Sequence, residues 1–588
     1  MIKMQYVSTR DVSTSYMASQ AIIQGLAPDG GLMTPFYIPK LPGKALEDLK
    51  SMSYQHRAVY IMKQFLEEFS VKELTDFAAA AYGPEKFDTP AVAPVRSLDG
   101  NTHCLELWHG PTCAFKDMAL QMLPHLLTAS LTKREEEKTV CILVATSGDT
   151  GKGALEGFKD VPHTRIMVFY PRDGVSQVQE LQMITQEGNN VGVTAVRGNF
   201  DDAQSGVKRL FSDGELRRTL ADRGFFFSSA NSINWGRVLP QIVYYISAYC
   251  DLMRDEKIAP GQTINVCVPT GNFGNILAAY YAKEMGVPIG KLICASNSNN
   301  VLTDFIRTGV YDRKRPFHNT MSPSMDILIS SNLERLLFAL TQDTQEVKQY
   351  MEQLNTSGRY EVRKPILERL QKLFQGYCCD DRETQRVIGE VYRQHDYLID
   401  PHTAVAFSAL DQYRKESGDD TPCVVVSTAS PFKFCDNVLG ALGVTEVAQG
   451  LDALDQLSAK TGLPAPAPLS SLRNKKIRFT RTVEKENMVD AVLSMLVDCC
   501  TANNTVAIVM VGPIAKEISD DFGVTPRRSA SLLDMFSSMG QGLIPYGAQL
   551  LAAASLTGLT PFEIIPYCFY PLLMGLSGLV FIFIKKRK

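Results

Sequence analysis

Residues 109–117 read His-Gly-Pro-Thr-Cys-Ala-Phe-Lys-Asp, residues 147–151 read Ser-Gly-Asp-Thr-Gly, and residues 271–275 read Gly-Asn-Phe-Gly-Asn. The first stretch sets Lys116 between Ala114-Phe115 and Met118-Ala119-Leu120, an apolar helical start. A lone lysine is ordinarily a solvated surface charge. Burial here would disfavour the ammonium form and leave a share of the amine neutral and nucleophilic. The other two stretches each lie between a strand and a helix: Val140–Ala145 and Gly153–Phe158 flank the first, Ile264–Pro269 and Ile276–Met285 the second. Glycines let a backbone approach an anion closely, and the first N–H groups of a helix point at it. The 271–275 turn suits a phosphate. The small hydroxyls of 147–151 suit a carboxylate such as that of an amino acid. The plainer alternatives are an ordinary strand-to-helix turn and helix capping by Ser147, Asp149 or Thr150.

Working outward, residues 139–430 alternate between short β-branched runs and helical stretches. Strands are predicted at Thr139–Thr146, Thr164–Tyr170, Val191–Val196, Thr263–Pro269, Lys291–Ser296 and Pro422–Ser427. Their near-continuous apolar character is that of parallel strands buried on both faces, so the fold class is α/β with an open parallel sheet. Ligands in such sheets bind beyond the carboxyl ends of strands, where both glycine-rich loops fall. Ser427-Thr428-Ala429-Ser430 ends the last strand. A hydroxyl there can hydrogen-bond a pyridine nitrogen without protonating it, although strand-end Ser and Thr are common without any such role. Together, a desolvated lysine and two anion-binding loops are what pyridoxal phosphate chemistry needs. The amine condenses with the cofactor aldehyde and, once displaced by substrate, can act as a general base on a Cα proton.

Bulk properties narrow the class further. With 588 residues and a net charge of −3, the chain holds several domains and has no basic field for nucleic acid. The 13 cysteines include the vicinal pairs Cys378–Cys379 and Cys499–Cys500, with no CxxC, and the eight histidines form no HExxH. Reduced cytoplasmic thiols and no metal site are expected. The first residues lack the apolar core of a signal peptide. Residues 1–90 read as mainly helical with a turn at Asp29-Gly30-Gly31, residues 331–400 as charged helices of a lid-side insertion, and residues 464–468 as an extended linker. The uncharged run Ile564–Ile584, closed by Lys585-Lys586-Arg587-Lys588, is long enough to span a bilayer with its basic end in the cytoplasm. Met535–Phe562 is also uncharged but carries Gln541 and Gln549. A buried hairpin of a soluble domain is the alternative.

These motifs, in this order, resemble those of the threonine synthases, a family of pyridoxal phosphate fold-type II enzymes. Tyr6-Val7-Ser8-Thr9-Arg10, Gly25-Leu26-Ala27-Pro28-Asp29-Gly30-Gly31-Leu32 and Ser229-Ala230-Asn231-Ser232-Ile233-Asn234-Trp235-Gly236-Arg237 carry the resemblance beyond the lysine segment, over about residues 1–500. The resemblance implies two open twisted sheets flanked by helices, an N-terminal region over 1–95, and a catalytic region over 96–500 with a mobile subdomain at about 125–225. It implies that Lys116 binds the cofactor, that Gly271, Asn272, Phe273, Gly274 and Asn275 cradle its phosphate, and that Thr428 faces its pyridine nitrogen. Ser147, Asp149 and Thr150 would lie near the substrate carboxylate, and Arg237 would hold the substrate phosphate. The implied reaction converts O-phospho-L-homoserine and water to L-threonine and phosphate. A serine/threonine dehydratase-like β-eliminase is the alternative within the same cofactor class. The oligomeric state stays open.

The end of the chain differs. Asn503–Ile508 and Pro526–Asp534 resemble the last part of an NhaC-type sodium/proton antiporter, over about residues 500–588. The upstream helices that would carry an ion path are missing. The resemblance therefore implies an in-frame fusion, or a joining of two reading frames, whose hydrophobic helical tail at 501–588 contacts the membrane and tethers a cytoplasmic enzyme. A membrane transport component with the enzyme as passenger is the third reading.

Overall fold

The computed structural model describes residues 4–477 other than 173 and 199, residues 481–484, and residues 553, 554, 557, 559–570, 573 and 577. The chain divides into two compact units, Met1–Thr482 and Val483–Lys588. Within the first, the larger sheet runs in the order Phe374–Cys378, Ile289–Ser296, Ile264–Pro269, Cys423–Ser427, Thr102–Glu106, Val95–Ser97. Its first five strands are parallel and the last is antiparallel. Ile264–Pro269, Cys423–Ser427 and Thr102–Glu106 are buried at every position, as strands covered on both faces must be. In the second sheet Val191–Arg197, Thr164–Pro171, Thr139–Ala145 and Phe225–Ser228 pair in that order, all parallel. Each of the six predicted strands is present, with ends within two residues of those expected. The two open sheets with helices packed on them are the expected α/β arrangement.

Two readings need correction. Residues 1–90 hold four helices but also an antiparallel sheet of Asp11–Tyr16, Tyr6–Ser8 and Met33–Pro35. Two of its strands have three residues, too few for a period-two pattern to stand out. Residues 331–400 are not a mere insertion, because Phe374–Cys378 is the edge strand of the larger sheet, parallel to Ile289–Ser296.

The helix Trp235–Arg254 is buried along its length up to Met253. Its first turn, capped by Asn234 Oδ1 on the Gly236 N–H at 2.9 Å, brings Arg237 inward. All 11 described cysteines are free thiols, and nine of them are buried.

The antiporter-like segments Asn503–Ile508 and Pro526–Asp534 lie outside the described residues. Of the run Ile564–Ile584, the described part does not form one continuous helix. Pro561–Ile564 passes into a 3-10 turn, Ile565–Tyr567, where Pro566 has no N–H to give. Among the described residues no helix is long and apolar enough to cross a membrane, so the expected transmembrane helix is without structural support.

Candidate active site

The loop before Lys116 is folded on itself by Asp117. Its carboxylate accepts the Thr112 N–H at 2.8 Å and the Thr112 hydroxyl at 2.7 Å. Two backbone bonds then fasten the loop to the end of the Cys423–Ser427 strand: Phe115 N–H to the Thr428 carbonyl at 2.7 Å, and Ser430 N–H to the Cys113 carbonyl at 3.0 Å. Cys113 takes a left-handed φ of 56° to make this crossing. Lys116 follows at the start of the helix Asp117–Leu120 and is only 7 % exposed. Its Nζ donates to Ser324 Oγ at 3.2 Å, stands 3.6 Å from Asp149 Oδ2, and lies 4.8 Å from the centre of the Phe115 ring. Burial pulls the amine down to about 8. Asp149 opposes that shift, while Arg237 and Lys433 reinforce it.

The 271–275 turn meets the lysine through Ser324. A Cβ on Gly271 would lie 2.6 Å from the Ser324 carbonyl oxygen, so only glycine fits. Phe273 adopts φ 63° and begins the helix Gly274–Glu284, whose N-terminus no side chain caps. Its first N–H groups are left without intrahelical acceptors. Asn275 Oδ1 accepts the hydroxyls of Tyr244 and Tyr245, the latter at 2.6 Å, while its buried Nδ2 has no partner. Lys116, residues 271–275, Ser147, Thr150, Arg237 and Thr428 all line one cavity of about 200 Å³. A buried amine, uncapped helix N–H groups with an orphaned amide donor, and a strand-end residue with a hydroxyl, all lining one cavity, fit pyridoxal phosphate.

Arg237 is 5 % exposed, and its guanidinium donates to the Ala230 carbonyl at 2.8 Å. Among the described residues no carboxylate pairs with it, and burial draws it down to about 10. A desolvated arginine on a cavity wall suits an anionic ligand. In the other loop, Thr146 Oγ1 accepts the N–H groups of Gly148 at 2.9 Å and Gly151 at 2.8 Å, so Thr146 is what shapes the turn.

Asp149 faces the two lysines. Its Oδ1 is held by Lys433 Nζ at 2.7 Å and Gln179 Nε2 at 2.8 Å, and its other oxygen faces Lys116. Although burial works against ionisation, Lys433 and Lys116 hold this carboxyl far below its usual range. It pairs with both lysines and is not among the residues that line the cavity.

Three family models match the chain: the threonine synthase N terminus over residues 5–82, the pyridoxal-phosphate dependent enzymes over 92–429, and the threonine synthase C-terminal region over 403–493. The chain belongs to the threonine synthase family. Threonine synthase from Pseudomonas aeruginosa is 39 % identical over 438 residues, covering 74 % of this chain and 90 % of that protein. Threonine synthase-like 1 of Homo sapiens is 42 % identical over 440 residues, which cover 73 % of this chain but only 58 % of that protein. Among solved structures, pyridoxal phosphate-bound threonine synthase from Brucella melitensis superposes with a TM-score of 0.73 at 36 % identity, covering 83 % of this chain and 99 % of that one. The family matches end at residue 493, so they lend nothing to the antiporter resemblance of the tail.

In this family member, sequence reading missed four residues that build the site: Thr146, Ser324, His402 and Lys433. His402 Nε2 accepts the Ser324 N–H at 3.2 Å, and its Nδ1 lies 2.8 Å from Asp400 Oδ1. Asp400 and His402, in Asp400-Pro401-His402-Thr403, carried a signal of their own: an acidic N-cap two residues before a histidine, at the start of a buried helix.

Proposed function

We propose that this protein is a threonine synthase, releasing phosphate from O-phospho-L-homoserine and adding water to give L-threonine. The observation that carries the reading is one cavity in which a desolvated Lys116 amine, the 271–275 turn and an arginine with no carboxylate partner among the described residues converge. Bound there, pyridoxal phosphate would supply the electron sink that acidifies the Cα–H of an amino acid. Residues 271–275 would hold its phosphate, Thr428 would face its pyridine nitrogen, and Lys116 would carry it. Arg237 holds the substrate phosphate. Ser147 and Thr150 receive the substrate carboxylate, with Asp149 set back from it. The Lys116 amine takes and returns protons at Cα and Cβ. The C–O bond at Cγ breaks and phosphate departs. Cγ gains one proton to become the methyl group, water gives its hydroxyl to Cβ, and the proton left from water ends on the released phosphate. Water must be kept out until phosphate has gone, which asks for closure around the bound substrate.

Phosphate release from O-phospho-L-homoserine by the cofactor-loaded full chain, with stoichiometric threonine, is the test. Ketoacid from serine or threonine without phosphate release would instead identify a dehydratase. The membrane tether at 501–588, on an enzyme otherwise of the cytoplasm, rests on composition alone. A full chain that stays in the supernatant without detergent would end that reading.

A further inference from the structure

A second buried lysine stands behind the first. Lys433 lies in the short turn Pro431–Phe434 that follows the Cys423–Ser427 strand. Its side chain is wholly buried and does not line the cavity. Its Nζ donates to the Thr112 carbonyl at 2.8 Å and pairs with Asp149 Oδ1 at 2.7 Å. The other oxygen of the same carboxylate is 3.6 Å from Lys116 Nζ. One carboxylate is therefore shared by two lysines, and Lys433 holds it at the shorter distance, where attraction is stronger. Among the described residues, Asp149 is the one carboxylate within ion-pair reach of the Lys116 amine. Asp117, next in sequence, has its oxygens occupied by Thr112. The other charged or titratable groups facing the cavity are Arg237, His402 and Lys208, each from its own helix. An isolated buried carboxylate beside the amine would favour the ammonium form. A carboxylate that Lys433 already holds at the shorter distance does so less, and burial then weighs more.

We propose that Lys433 is a positioning residue that holds Asp149 and competes with Lys116 for its charge, enlarging the share of the Lys116 amine free to condense with an aldehyde. This rests on reading Lys116 as the cofactor-binding lysine, and its test needs no turnover. The full chain, stripped of cofactor, is labelled with acetic anhydride across the neutral to alkaline range, and acetylation of Lys116 is read by mass spectrometry. Lys433→Met should raise the pH midpoint of Lys116 labelling by about one pH unit or more. Asp149→Asn should lower it, and Lys433→Arg should restore the wild-type midpoint. A wild-type midpoint in Lys433→Met overturns the proposal. Should that variant fail to fold by circular dichroism, Lys433→Gln decides: a raised midpoint supports the proposal, and one at or below wild type overturns it. A full chain that shows these shifts yet releases no phosphate would remove the proposed reaction and leave the role of Lys433 standing.

Discussion

Arg237 is a cation buried against a carbonyl, and desolvation of that charge is a standing cost to the fold unless an anion arrives. Arg237→Met should therefore raise KM for O-phospho-L-homoserine by about tenfold or more while leaving the melting temperature unchanged or higher. Steady-state kinetics and thermal denaturation check both halves. Lys116→Ala should abolish the visible absorbance of the cofactor-loaded protein. In the wild type, cofactor capture by the stripped protein should accelerate as pH rises through about 8, because the amine is charged and unreactive below that point. A flat rate across that range would contradict the burial argument. Lys116 was legible because its apolar neighbours announce burial within a few positions. Lys433 was not, since its partner Asp149 lies 284 positions earlier and no local pattern marks such a pair. The Asp149 side chain's pairing with that distant lysine was likewise invisible to a local reading.

At the scale of elements, the helix Asp149–Gly157 rests on the short helix of Lys116 through glycines spaced four apart. A Cβ at Gly153 would lie 2.9 Å from Leu120 Cδ1, and one at Gly157 would lie 2.0 Å from the Leu120 carbonyl oxygen. Gly157→Ala should cost roughly 1–3 kcal/mol by forcing these helices apart, measurable by denaturant titration. Gly271→Ala should also weaken cofactor capture, because its Cβ would meet the Ser324 carbonyl oxygen at the turn proposed to hold the cofactor phosphate. The loop carrying Lys116 has a further anchor. His109 is set between Asp88 at 2.7 Å and Glu106 at 2.9 Å. Burial disfavours its charge, but the two carboxylates outweigh that and raise it to about 9. A raised histidine stabilises fully below its unfolded value of about 6.5, and that contribution is lost as pH rises through about 9. His109→Gln should thus be less stable than wild type near neutrality, with the gap closing toward alkaline pH in melting experiments. The strands of both sheets were readable where apolar runs were long. Phe225–Ser228 and Phe374–Cys378 escaped because each is short and gains its identity only from the parallel neighbour beside it.

For the whole molecule, the first compact unit ends at Thr482 and the family match at residue 493. A chain ended at residue 500 should keep phosphate release and cofactor absorbance close to those of the full chain, and loss of both would assign residues 501–588 a part in the enzyme. The architecture was legible because alternating strands and helices constrain a parallel sheet. The N-terminal sheet and the far-apart partners of the site were not, since they exist only through contacts between distant segments. The thiols carry a last consequence. Cys113, three positions before Lys116, is buried with its thiol pushed up to about 12, and burial pushes Cys294 and Cys423 up to about 12 as well. Sulfur so reluctant to ionise is a poor scavenger of carbonyl compounds. An incoming aldehyde therefore meets a nitrogen nucleophile uncontested, and the protein has no need to dispense with cysteine near its reactive centre.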